Sequence, residues 1–360
     1  MQLISFKMTC EIPYYYPCYF PLIHDKLIAK SSLSYLSLLA SDQLYSIPAY
    51  RFDRTTSVST VAWYSPLLKL EPKIYTMERK FYRSLEEGLY GIHEHLSQND
   101  FFISLGTTYY LPYSRDYKNP KYIESHVKSN SNKYVTDHYL SVYGLHNENI
   151  FINDPVPNKY IGAISLKDFS DFWKGNKGIP ELASAEGVEK LVSYSTLDVM
   201  IKETLNENNI IEKFLTVLHT VSDEFLKGKI VSKESKTYYF GNSATKMLKD
   251  NINEAIEKSN NLISMYNKCI FDLRWSRYFL NDLINDINMI LGNRFLIINN
   301  ELQDIIKLLE DLYKLLLLNI SKPTSKKEFL KKLNEKMTNI YQKEINLHEK
   351  ILFSIKSMRN

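Results

Sequence analysis

The sequence predicts an α+β fold, a mixed and turn-rich domain over residues 1–180 followed by an all-α domain over residues 181–360. Three observations lead there. Eleven of the twelve prolines and 20 of the 27 tyrosines lie at or before residue 180, whereas the remainder is rich in Leu, Ile, Lys, Glu and Asn with one proline, Pro323. Residues 134–157 read as a β-hairpin, because two runs rich in β-branched and aromatic residues (139–143 and 149–152) flank Gly-Leu-His-Asn-Glu. After residue 180, apolar residues recur three and four apart, the spacing of one helix face.

In the first domain, Met1 to Met8 is a short apolar start and residues 11–17 form an aromatic, proline-punctuated loop. Residues 22–41 carry an imperfect helical stripe (Leu22, Ile23, Leu27, Ile28, Leu33, Leu36, Leu38, Leu39), which sets Cys18 at or just before a helix start. Residues 46–63 read as irregular or weakly β, and residues 71–97 as a helix stopped by Asn99-Asp100. Residues 101–105 form a buried strand, 106–112 a second edge and 113–133 a polar loop. Beyond the hairpin, Ser165 is the N-cap of a short helix ending near Trp173.

The second domain reads as helices over 197–205, 210–225, 244–266, 271–291, 295–318 and 326–357. Ser325 and Glu328 form a capping-box signature for the last of these. That helix alternates Lys and Glu, the pattern of a solvated outer helix, and a homodimer face is the alternative. Arg274 and Arg277, three apart on one face, suit either a structural ion pair or an acidic or phosphorylated ligand.

At 360 residues with 45 basic and 41 acidic side chains, the net charge of +4 comes with no Lys/Arg cluster, so nucleic acid is not an expected partner. No stretch approaches the ~18 uninterrupted apolar residues of a membrane span. With a single Lys7 and an early Glu11 the N-terminus lacks the form of a signal peptide, and the expectation is a soluble cytoplasmic protein. Cys10, Cys18 and Cys269 are odd in number and lack metal-ligand spacing, which argues against disulfides, zinc or any other bound metal. No cofactor is expected.

The chemistry-bearing residues gather at the hairpin. His138 starts the first strand and Asp154 ends the second; in an antiparallel pair those ends are neighbours, so an acidic group can orient an imidazole for general-base work. The nucleophile must come from elsewhere. Cys18 is the candidate, since the free amides and positive pole of a helix start favour a thiolate, whereas Cys10 lies in an extended lead-in. His93, His95 and His146 read as surface residues, and His24 and Asp25, pointing about 100° apart on one helix, receive no role.

These residues also carry a resemblance. A cysteine at a helix start, Phe-Phe-Ile-Ser-Leu, Tyr-Tyr-Leu-Pro-Tyr, Asp-His138-Tyr-Leu-Ser-Val-Tyr-Gly, Phe-Ile-Asn-Asp154-Pro and Tyr-Ile-Gly-Ala-Ile-Ser-Leu-Lys-Asp-Phe follow in that order. The order resembles the papain-like fold of the double-glycine leader peptidases and, more closely, the butirosin biosynthesis protein H family. The resemblance spans residues 10–180, with shorter matches in the helical half at Tyr239-Phe-Gly-Asn-Ser-Ala and Arg274-Trp-Ser-Arg277. It implies an acyltransferase of antibiotic-like, specialised-metabolite biosynthesis that takes an acyl group from an acyl carrier protein onto a cysteine and passes it to an amine. By position it implies Cys18 as nucleophile, His138 as base and Asp154 as the group orienting His138. Where peptidases of this fold place an oxyanion-hole glutamine, this chain has Ile-Pro-Tyr-Tyr-Tyr-Pro. A hydroxyl of Tyr14, Tyr15 or Tyr16, or the Cys18 amide, stands there instead. A cysteine peptidase and a non-catalytic binding protein of the same fold are the alternatives.

Overall fold

A computed structural model describes residues 2–5, 12–13, 15–30, 35–39, 50–53, 58–60, 74–128, 138–175, 194–233, 236–258, 260–321 and 326–359. In chain order these form β1 (Gln2–Leu3), α1 (Tyr19–Lys30), α2 (Leu36–Leu39), β2 (Tyr50–Asp53), β3 (Val58–Thr60), β4 (Tyr75–Phe81), α3 (Leu85–Ser97) and β5 (Phe102–Gly106). There follow α4 (Pro120–Lys128), β6 (His138–His146), β7 (Asn149–Asp154), β8 (Tyr160–Ser165), α5 (Leu166–Lys174) and β9 (Ser195–Ile201). The remainder is α6 (Ile210–Lys227), β10 (Lys229–Lys233), β11 (Lys236–Phe240), α7 (Asn242–Lys258), α8 (Asn260–Leu291), α9 (Leu296–Ser321) and α10 (Lys326–Arg359). The architecture is α+β, with an antiparallel sheet and a helical C-terminal region.

The chain divides into two units, residues 1–36 with 73–205, and residues 37–72 with 206–360. In the first, a seven-stranded antiparallel sheet runs in the order β4-β9-β5-β6-β7-β8, with β1 added beside β6. The alternation along β6 and β7 sends Leu140, Val142, Ile150 and Ile152 into a core shared with Ile92 and Leu96 of α3 and Phe169, Phe172 and Trp173 of α5. Ser165 caps α5 by accepting from the Asp168 amide at 3.0 Å, as its position predicts. α1 packs against β6 and β9 and is buried on nearly every face: Phe20, Leu22, Ile23 and Leu27 are joined by Asp25 and Lys26. Lys26 ion-pairs with Asp100 at 2.8 Å. In the second unit, α6 to α10 enclose a core from Phe214 to Ile355, beside a four-stranded sheet ordered β10-β11-β2-β3.

Several expected boundaries move. The first unit continues past residue 180 to Leu205, because β9 inserts between β4 and β5. The helix expected over 197–205 is that strand, in which Leu197 and Val199 are buried while Met200 is exposed, a period of two rather than 3.6. Residues 71–97 are likewise β4 followed by α3, and the switch is marked by Ser84, which accepts from the Glu87 amide at 3.1 Å. The stripe over 22–41 divides between α1 and α2. Residues 108–110 form a 3-10 turn instead of an edge, and the loop after it contains α4. The separator over 227–240 is the β10–β11 hairpin, on which β2 pairs. α8 runs unbroken through residues 267–270, where a break was expected. α10 is no solvated outer helix, since Leu333, Met337, Ile340, Leu347, Ile351 and Ile355 are buried. Ser325 lies outside the described residues.

Candidate active site

Cys18 directly precedes α1, on a lead-in shaped by two turns, Tyr16 N–H to Pro13 C=O and Phe20 N–H to Pro17 C=O, both 3.1 Å. The turns place the cysteine where the first amides of a helix have no acceptor within it. His138 opens β6 opposite Gly106, and Asp154 closes β7. An alanine Cβ at Gly106 would sit 2.2 Å from the Phe172 carbonyl, so the backbone approach beside His138 requires glycine.

The hairpin brings the two groups together as its register predicts: His138 Nε2 lies 2.9 Å from Asp154 Oδ2. The contact is a close ion pair, off the axis of a straight N–H···O bond. The Cys18 thiol lies near enough to the imidazole to act on its protonation, by contact and by charge. His138 is 4% exposed and Asp154 0%, whereas Cys18 is only partly buried. Burial alone would hold His138 neutral. The Asp154 carboxylate, by charge and contact, and the Cys18 sulfur outweigh it and hold the imidazole well above the usual histidine range.

Two residues that sequence reasoning left unassigned complete the carboxylate's surroundings. Tyr113 donates its hydroxyl to Asp154 Oδ2 at 3.0 Å, and Asn158 donates its side-chain amide to the same oxygen at 2.9 Å. Tyr113 is stacked on Tyr160 at 3.9 Å, which fixes the ring. Burial and the adjacent Asp154 push the Tyr113 phenol far up, so it stays a donor. The only sequence signal for Asn158 was its place in the turn after Asp154, and for Tyr113 its place at the end of the Tyr-Tyr-Leu-Pro-Tyr run, which assigned it no role. On β7, Asn153 reaches the buried Asp25 of α1 at 3.5 Å, a long contact tying the cysteine-bearing helix to the strand that carries Asp154. Asp25 is thus a buried structural group.

Cys10 and Tyr14 lie outside the described residues, and Cys269 is buried within α8. His93 and His146 are exposed, while His95 lies 3.4 Å from Asp100. Arg277 is buried against Glu344, its Nε donating at 2.7 Å, so the ion-pair alternative holds for it. Arg274 instead lies among the rings of Phe271, Tyr278 and Tyr313. Among the described residues no group of three or more His, Cys, Asp or Glu is placed to hold a metal ion, and no helix is long and apolar enough to cross a membrane. A cleft of about 670 Å³ on the first unit is lined by Lys80, His95, Asp100, Asp198 and Lys202 among others, and by none of the Cys18 group.

No protein-family model matches the chain, and no curated protein matches it at a significant level.

Proposed function

We propose that the first unit is a papain-like cysteine acyltransferase domain, in which Cys18 accepts an acyl group from a carrier-protein thioester and delivers it to an amine. The observation that carries the reading is one chain of contacts, the Cys18 thiol to His138 and His138 to the buried Asp154, at the start of a helix packed on an antiparallel sheet. It is the arrangement that an activated thiol requires. Resemblance to the butirosin biosynthesis protein H family supplies the donor and acceptor classes.

In the first half-reaction the Cys18 thiolate attacks the thioester carbonyl. A carbon–sulfur bond forms to Cys18, the donor's carbon–sulfur bond breaks, and the His138 imidazolium protonates the departing thiol. In the second, the amine attacks the acyl-enzyme, His138 takes the amine proton, the amide forms and Cys18 leaves as thiolate. The oxyanion of each tetrahedral intermediate needs a donor. The Cys18 amide, which has no backbone acceptor among the described residues, fits that role.

The test is intact mass spectrometry of the full chain with acyl-loaded carrier protein or small acyl thioesters. A covalent adduct that disappears in Cys18→Ala, persists in Cys10→Ala and forms more slowly in His138→Ala is the expected result. An adduct lost only in Cys10→Ala relocates the nucleophile. No adduct with any donor, with cleavage of a double-glycine leader peptide instead, makes the domain a peptidase. Neither activity makes it a binding protein.

A further inference from the structure

The antiparallel register of the first unit sets Phe81, Ser195, Leu105 and Tyr139 in one row across β4, β9, β5 and β6, with their side chains on one face. Tyr139 adjoins His138, and its ring meets Tyr19, the residue after Cys18, edge to face at 5.5 Å. Three strands from Tyr139, on β4, stands Arg79, which shares the face because it lies two residues before Phe81. Its Nε donates to Ser195 Oγ at 3.0 Å, and its guanidinium lies 5.6 Å from the Phe81 ring.

Arg79 differs from the cations around it. Lys26, Lys80 and Lys174 each hold an aspartate, whereas among the described residues no carboxylate pairs with Arg79. Its side chain is exposed and anchored through Nε, which leaves the two terminal nitrogens to take an anion in bidentate fashion. Burial pushes the Tyr139 phenol up, and both Arg79, which opposes the shift, and Cys18, which adds to it, act on the same group. Strand spacing puts Ser195 about 10 Å from Tyr139, and β4, which bears Arg79, about 14 Å away. An anion on Arg79 is therefore too far from the sulfur to adjoin the reacting carbonyl, and belongs to the distant end of the donor. A phosphorylated pantetheine arm, roughly 15 Å from sulfur to phosphorus when extended, matches that separation.

We propose that Arg79 anchors the phosphate of the donor's arm, so that the site selects thioesters carried on phosphopantetheine over unphosphorylated ones. This rests on the acyl-enzyme reading above.

The test uses the full chain and two donors differing only in the phosphate, S-acetyl pantetheine and S-acetyl 4′-phosphopantetheine, with Cys18 acylation followed by intact mass. The phosphorylated donor is expected to react faster, and the ratio of the two rates to fall about tenfold in Arg79→Gln, the scale of one charge-assisted contact. Lys80→Gln, the same charge change on the opposite face of β4, should keep that ratio within about twofold of wild type. Equal wild-type rates with the two donors, or a ratio unchanged in Arg79→Gln, overturn the proposal and leave the acyl-enzyme standing. If neither donor acylates Cys18, the acyl-enzyme reading falls instead, and alkylation decides for Arg79. Protection of Cys18 from iodoacetamide by 4′-phosphopantothenate but not pantothenate, lost in Arg79→Gln, retains the anion site; equal protection overturns it. Inorganic phosphate that protects as well as the phosphorylated arm assigns the site to free phosphate and overturns the donor assignment.

Discussion

Asparagine at position 154 removes one negative charge while keeping the shape that holds it. Asp154 Oδ2 is the crowded oxygen, taking Tyr113, Asn158 and His138 at 3.0, 2.9 and 2.9 Å, while the buried Oδ1 has no hydrogen-bond partner among the described residues. The variant's carbonyl can occupy the first position and its amide the second. The hairpin is kept and the field at His138 is not. In the wild type the carboxylate outweighs burial and holds the His138 pKa above its unfolded value of about 6.5. The stabilisation from the charged pair is thus complete below about pH 6.5 and is lost as pH rises through the folded value. In Asp154→Asn burial, the largest single influence, prevails and the folded value falls below the unfolded one, so stability is lost as pH falls instead. Between the two folded values the native states differ by one proton, and the wild type's advantage shrinks by about 1.4 kcal/mol for each unit of rising pH.

Under the proposed mechanism the same variant leaves His138 neutral and unoriented at pH 7. Acylation of Cys18 should slow by about 10²- to 10⁴-fold, the range for a positioned acid–base group, or about 3–5 kcal/mol. The two assays are amide hydrogen exchange of β6 and β7 from pH 6 to 9, and single-turnover acylation by intact mass. A stability difference that stays flat with pH, together with acylation within tenfold of wild type, would refute the claim that Asp154 sets the charge of His138.

Other outcomes follow from particular contacts. His348, buried on Phe225 at 4.0 Å with Nδ1 3.0 Å from Ser222 Oγ, is held well below the usual histidine range by burial and by Arg277. The unfolded chain protonates first, so hydrogen exchange in α6 and α10 should accelerate as pH falls below about 6.5, and His348→Gln should flatten that dependence. Glu344→Ala strands the buried Arg277 and removes the acceptor of Thr245, and urea unfolding of the second unit should show a loss of about 3–5 kcal/mol. Gly106→Ala forces a Cβ against the Phe172 carbonyl, and thermal unfolding should report a loss of about 1–3 kcal/mol, with slower alkylation of Cys18 because His138 pairs with Gly106.

What could be read from the sequence was whatever local periodicity and turn chemistry determine. The β6–β7 hairpin was visible because β-branched and aromatic runs flank a short polar turn, and its register alone puts His138 near Asp154. α5 was visible through its Ser165 cap. β4 and β9 were not, because each mixes charges with apolar residues in a seven-residue window that also suits a helix; their pairing with each other, Tyr75 with Ile201, decides the matter. Tyr113 was hidden for a different reason. It lies 41 residues from Asp154, in a stretch whose periodicity carries no sign of the contact.

The burial gradient across the three groups bears on how one histidine can serve two half-reactions. Asp154 is sealed at 0% exposure and His138 nearly so, and of the three Cys18 is the group open to a substrate. In the proposed mechanism the imidazolium, once it has protonated the departing thiol, stands neutral beside the acyl group, ready to take the proton of an incoming amine. Water would take the same place, and the acyl-enzyme persists only as far as that approach is dry. The rings of Tyr19 and Tyr139 meet beside Cys18 and lay aromatic surface along that approach. An amine borne on an apolar body can displace what water remains and cover those rings. Under the proposed function, partition between transfer and hydrolysis should follow the surface next to the thiol and not the His138–Asp154 pair, which a hydrolase and a transferase would share.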